Sequence, residues 1–397
     1  MRPRILELAR SWAGRLSLAV ALVAPVGARA EAPSELGWVR PAATELYRVF
    51  GLRKVLRLGP DLEPLDAPPY EASAPMFTRD GSLVVSATRE GELRAHWVAS
   101  GTQLWSAHVG RTGHSFAQHK ELLLVGTGTE LVALEAYSGK ERWRLDLGGM
   151  VGGTIAIDGA VAFVPVRPSG LVAVELTEPR VRWRFKRARP EGITVLGQAA
   201  PLVDRSRETV YTGLPDGSLV AIATSNGEPR WTATLGTGRR AFRDVDAAPI
   251  FGPDGNLIAA NYDSGLFGVD PDDGRVRWKN ESLTQITGLT ISSGRIVASD
   301  GGAVGLRPGG QVAWRYRAHK GFLGAPIPLG FGLVGLPSSS GRMPVLDAVT
   351  GKPTQIIDAG PAGSLVPPAR LRKDLAVLTN RGTLLLLRYG EGSQISR

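Results

Sequence analysis

The stretch AAPLVDRSRETVYTGLPDGSLVAIATSNGEPRWTATLG, residues 199–236, decides the fold. It contains four short runs rich in Val, Ile, Leu and Thr, separated by turn residues such as the Asp-Gly and Asn-Gly pairs. Such turns favour tight antiparallel connections. The stretch therefore predicts a four-stranded antiparallel sheet, with Trp231 in its last strand and Gly227 four residues earlier.

The Gly-x-x-x-Trp pattern recurs along the chain. It occurs five times, from Gly101 to Trp105, Gly139 to Trp143, Gly227 to Trp231, Gly274 to Trp278 and Gly310 to Trp314. Trp183 continues the series without its glycine, and successive tryptophans are 38, 40, 48, 47 and 36 residues apart. A period near 40 with strand patterning indicates a propeller or an array. We expect the tryptophan rings to fill the wedge between neighbouring sheets, which is a structural role.

Counting the repeats predicts an all-β, eight-bladed propeller with four-stranded antiparallel blades. Seven complete units begin near residues 70, 113, 152, 197, 246, 287 and 323, and an eighth begins near residue 362 but has only three strands. The segment LRKVLRLG, residues 52–59, resembles a last strand and precedes the first unit. We therefore expect an N-terminal strand to close the last blade and remove two open edges. Blade 7 carries Gln355 where its tryptophan is expected.

The N-terminal 30 residues have the composition of a secretory signal peptide. Four arginines lead into an apolar stretch at residues 16–26, and Ala28-Arg29-Ala30 supplies a small-x-small cleavage pattern. An uncleaved anchor is the alternative, but the apolar stretch is shorter than the roughly 20 residues that a span requires. The predicted organisation is a signal peptide at 1–30, a linker at 31–50, a propeller at 51–392 and a tail at 393–397.

Charge and cysteine content limit the classes of function. The chain contains no cysteine, which excludes disulfides, cysteine-bound metal and a lipid-bearing cysteine at the cleavage site. Loss of five arginines and one glutamate with the signal peptide would lower the formal net charge from +10 to +6. That excess is typical of a protein near acidic partners or anionic lipid and does not require nucleic acid.

Few residues carry recognisable chemistry. His108, His114 and His119 are close in sequence, but their spacing matches no zinc pattern, and no phosphate-loop or nucleophile motif occurs. We therefore predict no metal, no cofactor and no catalytic residue. The basic run at residues 180–189 alternates charged and apolar residues. We interpret it as an outer strand whose cations protect a solvated edge, and a site for an acidic ligand is the alternative.

Two neighbouring connections are longer than the repeat requires. The chain spends 18 residues from Trp183 to Pro201 and from Trp231 to Pro249, whereas it usually spends about 11 or 12, as from Trp314 to Pro326. Excess loop length is typical of recognition sites. We predict partner binding by a charged group and an apolar group, composed of Arg243, Asp244 and Asp246 in the second loop and Ile193, Val195 and Leu196 in the first. The alternative is local structure, in which the aspartates cap a turn or pair with nearby arginines.

The blades resemble the pyrroloquinoline-quinone-type repeat, and residues 50–390 resemble the BamB family, the propeller subunit of the outer-membrane β-barrel assembly machinery. The Asp-Val-Asp-x-x-Pro stretch from Asp244 to Pro249 is similar to the family's loop that contacts the barrel-forming BamA subunit. In the other contact loop of the family, spaced leucines precede an arginine. Here Ile193 and Val195 keep the apolar pair, and Leu196 stands where the arginine would be.

The resemblance implies a non-catalytic periplasmic scaffold, peripheral to the outer membrane and monomeric within a complex. Its partners would be a BamA-type subunit and unfolded outer-membrane proteins, which could also bind by strand addition to a blade edge. Many family members are lipoproteins, whereas this chain lacks the cysteine. Two other classes stay open: an envelope propeller that binds another protein or a glycan, and a quinone-dependent dehydrogenase. The dehydrogenases often carry a vicinal cysteine pair, which is absent here.

Overall fold

A computed structural model describes residues 50–57, 73–88, 90–112, 116–167, 170–187, 198–236, 245, 247–318 and 320–390. Within these ranges the chain forms thirty-two strands and no helix. The strands assemble into eight four-stranded antiparallel sheets. The predicted all-β, eight-bladed propeller is therefore confirmed. The predicted signal peptide, linker and C-terminal tail lie outside the described residues, except that Phe50 belongs to a strand.

The strands of each blade are labelled A to D from the inner to the outer strand, which in blades 1 to 7 is also their order in the chain. Blades 1 and 2 contain β2 (Met76–Phe77), β3 (Leu83–Ala87), β4 (Glu92–Trp97) and β5 (Gln103–His108), then β6 (Ala117–His119), β7 (Leu122–Thr127), β8 (Glu130–Glu135) and β9 (Glu141–Asp146). Blades 3 and 4 contain β10 (Ala156–Asp158), β11 (Val161–Val166), β12 (Gly170–Glu175) and β13 (Arg180–Lys186), then β14 (Leu202–Asp204), β15 (Thr209–Gly213), β16 (Ser218–Ala223) and β17 (Pro229–Thr234).

Blades 5 and 6 contain β18 (Ile250–Phe251), β19 (Leu257–Asn261), β20 (Gly265–Val269) and β21 (Val276–Asn280), then β22 (Gly288–Ser292), β23 (Arg295–Ser299), β24 (Ala303–Leu306) and β25 (Val312–Tyr316). Blade 7 contains β26 (Ile327–Gly330), β27 (Leu333–Gly335), β28 (Arg342–Asp347) and β29 (Pro353–Asp358). Blade 8 combines β30 (Ala369–Leu371), β31 (Asp374–Leu378) and β32 (Thr383–Tyr389) with β1 (Phe50–Arg57) as its outer strand.

Burial explains why the strands differ in sequence. The middle strands read as nearly continuous apolar runs, as in β3 and β15, where all five residues are buried. A strand that packs against other elements on both faces exposes neither set of its side chains to solvent, so both sets are apolar. The apolar clusters accordingly join neighbouring blades. The outer strands alternate instead, because one set of their side chains reaches solvent.

The Gly-x-x-x-Trp pattern joins two different blades. The ring of Trp183 in blade 3 lies over Gly227 of blade 4, where a Cβ atom would come within 2.6 Å of the ring. Trp183 Nε1 also donates a hydrogen bond to the carbonyl of Thr224 in that blade, at 2.9 Å. The same clash would arise at four other positions, Gly139, Gly274, Gly310 and Gly351. Each of these glycines therefore receives the tryptophan of the preceding blade.

The ring closes between the two ends of the chain. β1 pairs antiparallel with β32, from Phe50 opposite Tyr389 to Arg57 opposite Thr383. The closing strand thus begins two residues earlier than the predicted segment 52–59. Inner strands β30 and β2 are adjacent, which brings blade 8 against blade 1. The predicted closure by an N-terminal strand is confirmed.

Candidate partner-binding face

Two of the D–A connections that join consecutive blades from 1 to 8 are much longer than the others. Residues 187–201 connect β13 to β14, and residues 235–249 connect β17 to β18, fifteen residues each. The remaining connections between consecutive blades from 1 to 8 span seven to ten residues, at 109–116, 147–155, 281–287, 317–326 and 359–368. Residues 58–75, which lead from β1 of blade 8 to β2 of blade 1, number eighteen. In an antiparallel meander the D–A connections leave from the same end as the B–C turns. We call this end of the ring the loop face.

The described ends of both long connections meet at the B–C turn of blade 4, residues 214–217. The amide of Leu235, at the start of the second connection, donates to the carbonyl of Gly217 at 2.9 Å. The amide of Val245, near its end, donates to the carbonyl of Leu214 at 3.3 Å. Arg187, at the start of the first connection, pairs with Asp216 at 2.9 Å. One turn therefore supports both connections.

Val245 anchors the second connection in the core. Its side chain is 1% exposed and belongs to the apolar cluster between blades 4 and 5. The chain at this point passes so close to Gly213 that a Cβ atom there would lie 2.3 Å from the carbonyl oxygen of Val245. Gly213 is thus required for the close approach. Val245 is the middle residue of the Asp-Val-Asp stretch.

Gln198 holds the end of the first connection. Its amide donates to the carbonyl of Gly152 at 2.8 Å, and its side-chain Nε2 lies 3.5 Å from the carbonyl oxygen of Gly170. Gly153 packs against its carbonyl, since a Cβ atom there would come within 2.5 Å. The connection at residues 147–155 is therefore fixed to the end of the first long connection.

An exposed apolar side chain lies in that same connection. Met150 is 55% exposed, and its carbonyl accepts a hydrogen bond from the amide of Arg167 at 2.7 Å. Arg167 is exposed and belongs to the B–C turn of blade 3. The loop face thus presents an apolar group, Met150, beside the cationic Arg167 of the B–C turn of blade 3. Sequence reasoning missed Met150, although a large apolar residue in a glycine-rich loop (Gly148-Gly149-Met150) is a usable signal.

The residues predicted to bind the partner lie outside the described ranges. These residues are Ile193, Val195, Leu196, Arg243, Asp244 and Asp246. The structure describes the ends of the connections that carry them, so their contact role stays a prediction.

The six repeat tryptophans are described, and each lies in the outer strand of its blade. In chain order they are Trp105, Trp143, Trp183, Trp231, Trp278 and Trp314. Trp105, Trp183 and Trp314 are buried, and Trp143, Trp231 and Trp278 are half-buried. None of them lies on the loop face, because an outer strand runs along the rim of the ring.

Most of the indole N–H groups have a partner in the next blade. Trp105 donates to the carbonyl of Ala136 at 2.9 Å, Trp231 to that of Pro271 at 3.0 Å and Trp314 to that of Ala348 at 3.0 Å. Trp278 differs, because its Nε1 donates to the carboxylate of Asp254 in its own blade at 3.3 Å.

Trp143 is the repeat tryptophan that has no glycine opposite it in the sequence of the next blade. The next blade presents Pro179, where the other blades that follow a tryptophan present a glycine. Trp143 nevertheless packs against the apolar cluster shared by blades 2 and 3.

The histidines do not form a described metal site. His119 is buried in β6, and its pKa is lowered by burial and by the nearby charges of Lys120 and Arg79. His108 is exposed at the end of β5, and His114 lies outside the described residues. Across the described ranges, no group of three or more His, Cys, Asp or Glu side chains is placed to hold a metal ion. None of the described residues form a helix long and apolar enough to cross a membrane.

Fold and loop face together define the class: an eight-bladed β-propeller built from tryptophan-wedge repeats, with two lengthened connections on one end. The family model described as "Outer membrane protein assembly factor BamB" matches residues 89–304, which is more than half of the chain. The chain therefore belongs to this family.

Curated relatives carry the same description. The outer membrane protein assembly factor BamB of Bordetella pertussis is 26% identical over 338 residues, covering 78% of this chain and 81% of the relative. That of Burkholderia pseudomallei is 27% identical over 177 residues, covering 41% and 44%.

Solved structures show the same fold in proteins of different kinds. BamB from Moraxella catarrhalis matches with a TM-score of 0.70 at 21% identity, covering 86% of this chain and all of that one. A quinohemoprotein alcohol dehydrogenase from Pseudomonas putida HK5 matches with a TM-score of 0.69 at 12% identity, covering 86% and 76%. Such identities show the shared propeller and do not distinguish between these functions.

Proposed function

We propose that this chain is a non-catalytic scaffold of the outer-membrane β-barrel assembly machinery, located in the periplasm and peripheral to the outer membrane. In this proposal the loop face binds a BamA-type subunit. Family membership supports the assignment to the machinery. The observation that carries the binding face is the meeting of both long connections at the B–C turn of blade 4.

The lengths of the two long connections, and their shared contact with the B–C turn of blade 4, favour a role in recognition over a role as simple links between blades. Connections of seven to ten residues suffice to join the other consecutive blades from 1 to 8. The additional residues therefore serve a purpose other than closing the ring. Because Arg187, Leu235 and Val245 all contact one turn, the excess chain leaves the ring from a narrow area. Asp244 and Asp246 would accept charge-assisted hydrogen bonds, Arg243 would donate them, and Ile193, Val195 and Leu196 would supply apolar contact beside Met150.

The dehydrogenase alternative rests on fold alone. Quinohemoprotein alcohol dehydrogenases share the propeller at 12% identity. The carboxylates of the described residues form no metal-holding group, and most tryptophans of the repeat pack on glycines of the next blade. Dye reduction after addition of pyrroloquinoline quinone and Ca²⁺ would reveal such an activity. We expect none with primary alcohols as substrates.

An Asp244→Ala/Asp246→Ala double variant tests the proposed site. We expect the variant to recover at least about tenfold less of the BamA-type subunit from envelope extracts, because two charge-assisted contacts are lost. A matched control, Glu178→Ala/Glu228→Ala, removes two exposed carboxylates from the C–D turns of blades 3 and 4, at the other end of the same blades. The control should recover the subunit as well as the wild type does.

Each outcome of the recovery experiment separates the site from the function. Equal recovery by both double variants would show that the aspartates are not the contact. Recovery of no barrel-assembly protein by the wild type would contradict the function itself. Unfolded outer-membrane proteins are a second class of partner in this proposal, and crosslinking of the same extracts would reveal them.

A further inference from the structure

The end of the ring opposite the loop face is formed by the A–B and C–D turns of the blades. Because neighbouring strands of a blade are antiparallel, both kinds of turn lie at the same end. These turns belong to the described residues in every blade, from residues 78–82 in blade 1 to residues 372–373 in blade 8. We call this end the turn face.

Charges on the turn face are divided between sectors. The turns of blades 3 to 5 contain seven acids and three arginines: Glu178, Glu208, Glu228, Asp254, Asp270, Asp272 and Asp273, with Arg205, Arg207 and Arg275. Those of blades 1 and 2 carry charges of both signs. The turns of blades 6 to 8 contain four cations and no acid: Arg307, Lys352, Arg372 and Lys373. We call these last turns the basic sector.

The carboxylates that flank the basic sector do not neutralise it. None of its four cations forms an ion pair within the described residues. Asp347 precedes the C–D turn of blade 7, and its carboxylate accepts a hydrogen bond from the amide of Thr350 at 2.7 Å. Asp374 follows the A–B turn of blade 8 and pairs with Arg388 at 2.7 Å. The cations of the basic sector are therefore available to an external anion.

An aromatic side chain projects from the basic sector. Phe331, in the A–B turn of blade 7, is 62% exposed, more than any other large apolar side chain of the described residues. Its φ is +54°, and the glycines on either side of it have φ of +74° and +75°. A bulky residue rarely adopts this conformation, and such strain is often retained at functional sites. The exposed ring is thus a candidate for contact with a ligand or surface.

Contacts of the turns join this ring to the cations. Phe331 stacks on Tyr389 with the ring centroids 4.0 Å apart, and the amide of Tyr389 donates to the carbonyl of Lys373 at 2.8 Å. An amide of the C–D turn of blade 7 donates to the carbonyl of Gly332 at 2.8 Å. The next residue of that turn, Val349, is 44% exposed. Two apolar tips and several cations thus lie together.

This combination fits an anionic lipid surface better than a second copy of the chain. Phe331 and Val349 lie at the tips of turns, so they project from the ring. Apolar side chains beside cations bind a bilayer by entering the interface while the cations attract anionic headgroups. A second copy would bring the acidic turns of blades 3 to 5 to the cations. Those turns, which are all described, present no exposed large apolar side chain to the tips.

We propose that the basic sector docks on an anionic lipid bilayer, with Phe331 and Val349 inserted among the headgroups. The four cations attract the lipid phosphates, and the acids of blades 3 to 5 are repelled, so the ring tilts with blades 6 to 8 toward the bilayer. The loop face, at the other end of the ring, stays free for a protein partner. This docking rests on the proposed location peripheral to the outer membrane and requires no lipid-bearing cysteine.

Vesicle co-sedimentation of residues 31–397, the predicted mature chain, tests the docking. The vesicles contain phosphatidylethanolamine with phosphatidylglycerol, and the wild type should bind pure phosphatidylcholine at least about tenfold more weakly. An Arg307→Ser/Lys352→Ser/Arg372→Ser/Lys373→Ser variant should also lose at least about tenfold in affinity for the anionic vesicles. The matched control Arg111→Ser/Arg167→Ser/Lys320→Ser/Arg381→Ser removes four exposed cations from the loop face and should change the affinity less than about twofold. Circular dichroism confirms that both variants are folded.

A fluorescent label reports whether the tips enter the bilayer. Because the chain has no cysteine, Val349→Cys carries a single environment-sensitive dye beside Phe331, and Ser225→Cys carries it on the C–D turn of blade 4 as the control. The dye at position 349 should respond to anionic vesicles, and the dye at position 225 should not. Phe331→Asn should bind the vesicles at least about fivefold more weakly, since asparagine tolerates positive φ but removes the apolar contact.

Four results would overturn the proposal. Equal losses in the two fourfold variants, or equal responses of the two dyes, would show that the basic sector does not face the lipid. Unchanged binding by Phe331→Asn would exclude the aromatic tip from the contact. Dimerisation of the wild type in sedimentation velocity, lost in the basic-sector variant and without vesicle binding, would assign the sector to a second copy. These assays contain no BamA-type subunit, so their result is separate from that of the recovery experiment.

Discussion

Two turn glycines show how single residues set the spacing of the blades. Gly227 has a φ of +79° and lies under the ring of Trp183, whereas Gly255 has a φ of +82° with no atom within 4 Å of an added Cβ. The two glycines share a backbone conformation and differ in their surroundings. Comparing them separates the cost of positive φ from the cost of the blade contact.

Replacement of each glycine by alanine should therefore have different effects on stability. We expect Gly255→Ala to lower the free energy of unfolding by about 1–2 kcal/mol, the cost of a left-handed alanine. Gly227→Ala should cost about 1–3 kcal/mol more, because the new methyl group collides with the packed indole ring. Urea denaturation of the two variants measures the difference. Equal losses would show that the Trp183 contact does not constrain the blades.

His96 gives the stability a pH dependence. Its side chain is 6% exposed in β4, and its pKa is lowered from the usual value of 6.5 by burial and by the nearby charge of Arg94. A lowered folded-state pKa means that the unfolded chain takes up the proton first. The stability from neutral His96 is thus present above about pH 6.5 and is lost as the pH falls.

An asparagine at position 96 removes this titration. We expect the free energy of unfolding of the wild type to fall between about pH 7 and 5 more steeply than that of His96→Asn. The other titrating groups are common to both proteins, so their contribution cancels. Urea denaturation across this range measures the two slopes. Identical slopes would mean that His96 titrates alike in the folded and unfolded states.

At the scale of elements, the closing strand depends on Gln355. Its side-chain Oε1 accepts a hydrogen bond from the amide of Phe50 and its Nε2 donates to the carbonyl of Phe50, both at 2.9 Å. In blades 1, 3, 4 and 6 the equivalent tryptophan donates to a carbonyl of the next blade. After blade 7, the start of β1 stands where the C–D turn of the next blade would be. The side-chain amide of Gln355 therefore bonds both the N–H and the C=O of Phe50, the first residue of β1.

Loss of this amide should loosen the closing strand. Gln355→Leu leaves the buried N–H and C=O of Phe50 without this partner, and we expect it to lower the free energy of unfolding by about 1–3 kcal/mol. Hydrogen exchange of the β1 amides should accelerate more than that of β15. Gln311→Leu, at an exposed turn position, is the matched control and should have little effect. Unchanged exchange in β1 would contradict the role of Gln355.

The elements were predictable from the sequence because the repeat is local. Each blade combines a fixed order of apolar runs and turns, so the number of blades and the N-terminal closing strand followed from counting. Gln355 was visible as an exception, but its partner Phe50 is 305 residues away and no spacing rule connects them. The same limit applies to Arg187 and Asp216, which meet only because the blades curve around the ring.

At the scale of the whole molecule, the propeller is a closed ring of eight blades that carries connections of unequal length. Interval lengths in the sequence identified the two long connections, and the structure shows that their described ends share the B–C turn of blade 4. The contact residues within these connections could not be assigned in the same way, because the additional residues have no counterpart in the other repeats from which a position could be inferred. The central claim is therefore about the connections as a unit.

Shortening both connections tests this claim most directly. A variant in which residues 187–201 and 235–249 are replaced by the ten-residue connection 317–326 keeps the ring but removes the excess chain. Its Kd for the purified periplasmic domain of the BamA-type subunit is measured by isothermal titration calorimetry, after circular dichroism confirms the fold. A matched variant with the long connections intact and residues 359–368 replaced in the same way is the control. The account predicts loss of binding, at least about a hundredfold in Kd, in the first variant alone. Wild-type affinity in a folded, shortened variant would contradict it.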